Sequence, residues 1–252
     1  MSDPVVNIYH LFPSLLNLHG DKGNIAVLSK RCAWRGIDAN VVDAESVSEI
    51  SFDNADIVLL GGGGKNEVFN VLQSLLPIAD RIRKYIENGG ILLAVCEGYH
   101  MLGECFNIAD ETTAGLGILD IATVAGERRL AENLIIKTTI ASQSVTLVGF
   151  ENHIGYTDIR EHTPFGKVVY GYGNNASSGH EGVWHKNLIG TNMHGPLLPK
   201  SPELCDHMLL TALTKKYGQI FERGLMPLGD KIEFEARRFV EHRQSEAYSA
   251  SK

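Results

Sequence analysis

A doubly wound α/β fold, a mostly parallel sheet flanked by helices, is what the sequence predicts, and three observations carry it. Apolar runs of strand length alternate with stretches of helical spacing through the first hundred residues. The run at 91–95 is apolar without interruption, as a central parallel strand covered on both faces requires. The strand at 56–60 runs straight into four glycines, Gly61 to Gly64, the kind of turn found where such strands end.

Residues 5–12 read as the first strand, apolar and β-favouring. Residues 23–35 carry Ile25, Leu28 and Cys32 at helical spacing and stop at Gly36. A short second strand follows at 39–42 and a third at 56–60. Residues 66–87 repeat Val68, Leu72, Leu75, Leu76, Ile82 and Ile86 helically and end at Asn88-Gly89-Gly90, with Pro77 placed to kink or split the helix. After the fourth strand, 91–95, the pattern turns helical again over 99–106. From about 115 to 192 helical periodicity disappears. β-rich runs at 118–124, 134–140, 145–150 and 168–170 stand between Gly, Asn and Ser, and read as antiparallel strands extending or flanking the parallel core. Residues 202–217 return to a helix, and a charged tail, about 229–252, is helical in pattern. With no repeat, low-complexity tract or Pro/Ser-rich linker, one domain is expected over 1–252.

Composition narrows the function classes. Of 252 residues, 44% are hydrophobic and 21% charged, a globular balance. The net charge of −7 speaks against nucleic-acid binding, which needs a basic face. No apolar run approaches the roughly 18 residues of a membrane span, and residues 1–7 lack the basic start of a secretory signal. Four cysteines form no CxxC pair, so neither a zinc ribbon nor a disulfide framework is indicated. A soluble cytoplasmic protein without metal or cofactor is expected.

The chemistry concentrates at Ala94-Val95-Cys96-Glu97-Gly98-Tyr99-His100. A cysteine ends an apolar strand and is followed by a residue, a glycine and a helical stretch, the layout of a nucleophile elbow. Amides opening the next helix favour a thiolate and can hold an oxyanion. The plainer alternative is a buried structural cysteine, which is the reading for Cys32, Cys105 and Cys205. A thiol nucleophile needs a base, and His194 and His153 stand out by context; either could also be an ordinary hydrogen-bonded histidine. The glycines at 61–64 fail as a phosphate loop, because Gly64-Lys65 is followed by Asn66. They serve either as a tight turn or as backbone donors to an oxyanion beside the cysteine's strand.

The glycine turn, the elbow and a late histidine, in that chain order, resemble the class I (triad-type) glutamine amidotransferases, in the branch that includes cobyric acid synthase. The segments Leu18-His19-Gly20-Asp21-Lys22-Gly23-Asn24-Ile25, Gly149-Phe150-Glu151-Asn152-His153, Tyr170-Gly171-Tyr172-Gly173-Asn174-Asn175 and His194-Gly195-Pro196-Leu197-Leu198 look like those of the GatD group within it, the glutaminase subunits of lipid II isoglutaminyl synthase. The resemblance implies Cys96 as nucleophile, His194 as base, and oxyanion donors in the backbone of Gly62, Gly63 and Glu97. Arg129 falls where the family binds the glutamine α-carboxylate, a role a planar guanidinium suits; Arg128 beside it is the competitor.

Two departures stand out. His100 occupies the place of the family's usual Gln, and Pro196 the place two after the histidine where many triad enzymes carry the acid. The orienting acid is therefore missing or comes from elsewhere, a partner included. The resemblance further implies a heterodimer with a Mur-ligase-like, ATP-using synthase subunit (MurT), which amidates the α-carboxyl of D-glutamate in the lipid II stem peptide with ammonia from L-glutamine. The rival readings are a glutaminase for cobyric acid or a related corrinoid, a free-standing cysteine hydrolase, and a non-catalytic module that keeps the fold.

Overall fold

A computed structural model describes residues 4–108, 111–221 and 223–250. In chain order the elements are β1 (Val5–Leu11), α1 (Lys22–Ala33), β2 (Asp38–Ala44), β3 (Ile57–Leu60), α2 (Lys65–Leu75), α3 (Ala79–Glu87), β4 (Ile91–Val95) and α4 (Glu97–His100). A β-rich middle follows: β5 (Cys105–Ile108), β6 (Glu111–Ala114), β7 (Ala122–Ile140), β8 (Gln143–Asp158), β9 (Gly166–Tyr170), β10 (His180–Glu181), β11 (Val183–His185) and β12 (Leu188–Thr191). The helices α5 (Pro202–Tyr217) and α6 (Lys231–Ala250) close the chain.

The first sheet runs β11-β12-β4-β3-β1-β2, parallel except where β11 meets β12. Its residues alternate between two apolar layers, as the two-residue period of a strand demands. Leu60, Val58, Leu92 and Ala94 face Val68, Leu72, Ile82 and Ile86 of α2 and α3. Ile8, Ile57, Leu59, Leu93 and Val95 face Ile25, Leu28, Leu204, Leu209 and Leu213 of α1 and α5. Pro77 does split the 66–87 stretch: a 3₁₀ turn at Leu76–Ile78 separates α2 from α3, since proline supplies no amide to a continuing helix.

The second sheet runs β10-β9-β7-β5-β6, with β8 paired to β7. The runs expected at 134–140 and 145–150 belong to one hairpin whose strands are 19 and 16 residues long. Its turn places Ala141 and Ser142 at φ +47° and +65°, the left-handed pair that a tight hairpin needs. No Asn-Gly marks it in the sequence. The run expected at 118–124 contributes to a strand only from Ala122, because the amides of Ile118 and Leu119 are drawn to the Leu102 carbonyl. The helix expected over 99–106 stops at His100: the chain turns where Gly103 presses on Ile121, and Cys105 lies half-buried on β5 rather than inside a helix.

The charged tail is held rather than loose. Arg237 of α6 is buried and bonds Glu203 Oε2 at 2.6 Å and the Lys200 carbonyl. Fully buried Arg31 of α1 donates to both oxygens of Asp206 on α5 and to Asp230, just before α6. These pairs tie α6 and the segment before it to α1 and α5. No helix among the described residues is long and apolar enough to cross a membrane.

A tight backbone constraint lies behind the elbow. A Cβ on Gly98 would stand 2.4 Å from the Leu60 carbonyl oxygen and 2.6 Å from that of Gly61, both backbone atoms. Gly98→Ala should therefore destabilise the chain by about 1–3 kcal/mol. Denaturant unfolding checks this, and a wild-type midpoint would show that the α4 approach to β3 is loose.

Candidate active site

Three loops meet at the carboxyl end of the first sheet, where open α/β folds place their ligands. The first follows β4. Cys96 adopts φ +50° and ψ −117°, a conformation that L-residues with a side chain rarely accept. Its amide is held by the Thr191 carbonyl at 2.8 Å, and Sγ points to the Asn192 carbonyl oxygen at 3.6 Å. The side chain is fully buried. Burial above all, and then the surrounding carboxylates Glu97, Asp21, Glu181 and Glu151, push the thiol well above its usual range.

The second loop follows β12 and carries His194. An antiparallel bridge to Phe150 of β8 fixes its backbone in both directions, at 2.9 and 3.1 Å. Pro196 packs on the first turn of α1, where a Cβ on Gly23 would lie 2.4 Å from its ring. Leu198 N donates to Asn24 Oδ1 at 2.9 Å. Pro196 thus serves as a packing residue where other enzymes carry an acid. Burial, and next the neighbouring His19, lower His194 to about 4, so the ring is neutral at pH 7. Its Nε2 finds no hydrogen-bond partner among the described residues.

The third loop follows β1 and carries His19, a residue that sequence reasoning quoted in a motif without giving it a role. Its ring stacks on His194 with centroids 4.1 Å apart and planes 26° from parallel. A ligating atom from each of His19, Cys96 and His194 lies within 4.8 Å of the other two. Glu97 Oε2 stands 3.4 Å from His19 Nε2, an ion-pair contact. Burial would raise the Glu97 carboxyl, but His19 and His100 outweigh it and leave it below the ordinary range.

The glycine turn touches the first and third of these loops. A Cβ on Gly62 would meet Glu97 Oε2, the His19 ring and Cys96 Cβ within 3.1 Å, so only glycine allows the approach. The Gly62 amide, an expected oxyanion donor, is already directed at Asp21 Oδ2, 3.3 Å away. Asp21 is buried, and that burial pushes its carboxyl up to about 6.

A buried polar layer underlies the elbow. Glu181 accepts from Thr191 Oγ1 at 2.7 Å and from the Asn192 amide at 2.6 Å. Asn192 Oδ1 in turn holds His100 Nε2 at 2.8 Å. Burial, with His153 nearby, lowers His100 to about 4, so the residue in place of the usual Gln is a neutral ring tied to Asn192. His153, the rival candidate base, has both nitrogens engaged, by the Gly155 carbonyl at 2.7 Å and Glu151 Oε2 at 3.3 Å. Glu151 also accepts from the amides of Tyr172 and Gly173. Glu181 and Asn192 escaped sequence reasoning; the only available hint was that Asn192 stands two residues before His194.

Arg129 sits in the irregular stretch of β7 between Ala125 and Leu130, where the pairing with β8 shifts register. It is exposed and donates from Nη1 to Asn152 Oδ1 at 2.9 Å, whereas the Arg128 guanidinium covers the Tyr172 ring at 4.9 Å. Neither arginine bonds a residue of the three loops among the described contacts.

A strained cysteine elbow, flanked by a histidine on the loop of one neighbouring strand and a glycine turn on the loop of the other, on a 2-1-3-4 parallel sheet, defines a glutamine amidotransferase arrangement. The chain belongs to the CobB/CobQ-like glutamine amidotransferase domain family, whose model matches residues 7–202. It is 39% identical to the lipid II isoglutaminyl synthase (glutamine-hydrolysing) subunit GatD of Staphylococcus aureus over 84% of this chain and 86% of that one. To the subunit of the same name from Streptococcus pneumoniae it is 34% identical, over 85% and 83%. A probable cobyric acid synthase of Methanococcus maripaludis is 29% identical over 81% of this chain but only 43% of its own length. Among solved structures, a crystal structure of a glutamine amidotransferase superposes with a TM-score of 0.50 at 17% identity, over 81% of this chain and 98% of that one, a likeness of fold.

The Asp21 carboxyl yields a stability test. Its folded value of about 6 exceeds the ordinary 3.8, so the stability it lends as a neutral acid is full below about 4 and lost as pH rises through about 6. Asp21→Asn stays neutral throughout. It should be more stable than the parent at pH 7 by on the order of 2–3 kcal/mol and lose that advantage at pH 4, measured by denaturant unfolding at both pH values. Equal stabilities at pH 7 would mean that Asp21 ionises there without penalty.

Proposed function

We propose that this chain is the glutaminase subunit of a lipid II isoglutaminyl synthase. It hydrolyses L-glutamine to glutamate and ammonia through a thioester on Cys96. The ammonia passes to a Mur-ligase-like, ATP-dependent partner of the MurT kind, which amidates the α-carboxyl of D-glutamate in the lipid II stem peptide. The observation that carries this reading is the meeting, within 4.8 Å, of the strained Cys96 elbow, which lies against Gly62, with the bridge-anchored His194. The identity to GatD subunits over most of both chains supports the acceptor, against a corrinoid one.

The resting pair is a neutral thiol beside a neutral imidazole, since burial disfavours both charges. Attack and proton transfer then go together. Sγ bonds to the δ-carbon of glutamine while His194 takes the thiol proton. The carbonyl oxygen becomes an oxyanion facing the amides of Gly62, Gly63 and Glu97. For Gly62 to take part, its amide must leave Asp21. His194 hands its proton to the departing nitrogen, the C–N bond breaks, and ammonia leaves behind a thioester. Water, deprotonated by the same imidazole, adds to the thioester, glutamate is released and the thiol is restored. Arg129 holds the glutamine α-carboxylate in this reading, exchanging its bond to Asn152 for two to the substrate.

No carboxylate hydrogen-bonds His194 among the described residues, so the imidazolium formed in the reaction lacks an orienting acid. Isolated, the chain should be a weak glutaminase, and ammonia release should rise when the synthase subunit is added. The acid limb of kcat/KM should fall near pH 4, because the base must be neutral and burial keeps it so down to that value. His194→Ala should lose roughly 10²–10⁴-fold in turnover. Steady-state ammonia assays with and without the partner, across pH, check all three. Full activity without the partner, or a limb near the ordinary histidine value, would contradict the account.

A further inference from the structure

His19 is not needed for the reaction as derived, yet it completes a set of donors. Cys96 offers a sulfur, His194 and His19 an imidazole nitrogen each, and one ligating atom of each lies within 4.8 Å of the other two. In a tetrahedral site with metal–nitrogen distances of about 2.0–2.1 Å and metal–sulfur of about 2.3 Å, such atoms sit some 3.3–3.6 Å apart. Side-chain movements of around an ångström therefore close this triangle on one ion. A second, independent observation points the same way. Nε2 of His194 is buried without a hydrogen-bond partner among the described residues, and Nε2 of His19 is also buried, met only by Glu97 Oε2 at 3.4 Å. Buried polar atoms without partners are uncommon and call for an explanation. The donors come from three distant loops, which is why cysteine spacing gave no hint of a site.

We propose that Cys96, His19 and His194 form a three-ligand site for a borderline-soft divalent cation of the zinc class, and that occupancy reversibly switches off the thiol. Binding forms a metal–sulfur bond as the thiol proton passes to the buffer, and forms two metal–nitrogen bonds through ring-nitrogen lone pairs. One sulfur and two nitrogens are the ligands that such a cation prefers over magnesium or calcium, and a water or substrate atom would fill the fourth position. An ion held there engages the nucleophile and the imidazole at once, so glutamine hydrolysis stops until the ion is removed. The site itself does not depend on the glutaminase reading, because an ion binds whether or not glutamine is the substrate.

The full chain titrated with Co²⁺ alone tests this without any activity assay. The expected result is one ion per chain, a thiolate-to-cobalt charge-transfer band, and intense visible bands of tetrahedral cobalt that Zn²⁺ abolishes. Cys96→Ser should remove the charge-transfer band. His19→Gln should weaken Zn²⁺ by at least about tenfold, the loss already seen on removing a ligand's outer-shell partner. His19→Asn serves as a second variant, and circular dichroism confirms the fold of both. Weak octahedral bands in the parent chain, or unaltered affinity in folded His19 variants, would overturn the three-ligand site. If neither variant folds, the parent's spectrum decides alone: tetrahedral with a thiolate band supports the site, and any other spectrum rejects it. Glutaminase activity that survives a saturating ion would overturn the switch while leaving the site.

Discussion

The left-handed backbone at Cys96, φ +50°, is the constraint on which the rest of the structure depends. A non-glycine residue there is strained by on the order of 1–3 kcal/mol and persists only where its surroundings over-determine it. Here they do. Thr191 on the neighbouring strand takes the cysteine amide, Gly98 lets α4 close on the β3 carbonyls, and Gly190 makes room for the Tyr99 ring, which a Cβ would meet at 2.2 Å. The elbow aims the thiol at the loop that carries His194, and β8 holds that loop through Phe150. The antiparallel sheet thus helps to build the site on the parallel one.

Beneath the elbow the protein buries charge that a purely apolar core would avoid. Glu181 and Glu151 are fully buried, and burial raises Glu181, with Glu151 adding to it. Each carboxyl accepts several hydrogen bonds, from Thr191 and Asn192 in one case and from Tyr172 and Gly173 in the other. That satisfaction is what makes such a layer tolerable. It also fixes Asn192, whose carbonyl faces the thiol and whose side chain holds His100. Burial, with the surrounding acids adding to it, keeps the thiol protonated at rest, which suits an enzyme whose ammonia is wasted unless an acceptor is ready.

The parallel core was legible because its signals are local. An uninterrupted apolar run, Gly61 to Gly64, and helical spacing closed by Gly36 or Asn88 each belong to one segment. Pro77 marked the α2–α3 break for the same reason. The helix expected after the elbow was too long because the Gly103 turn is set by contact with Ile121, far along the chain, and leaves no local trace. The hairpin of β7 and β8 was cut short because charged and small residues interrupt its alternation, and only pairing across the strands carries it through. In the site, Cys96 and His194 could be read from motif and context. His19, Asp21, Glu181 and Asn192 could not be given roles, since each acts through a partner more than 10 positions distant or on another loop. His153 looked as plausible a base as His194 until its two nitrogens proved to be engaged.

The central claim is that Cys96 carries the acyl group from glutamine. Rapid quenching of the chain with its synthase partner during turnover of isotopically labelled L-glutamine, followed by peptide mass spectrometry, tests it most directly. The account predicts a labelled glutamyl group in acid-stable, base-labile linkage on the peptide that contains Cys96, and none in Cys96→Ser. Ammonia release at the parent rate by Cys96→Ser, or the glutamyl group on Cys32, Cys105 or Cys205, would contradict it.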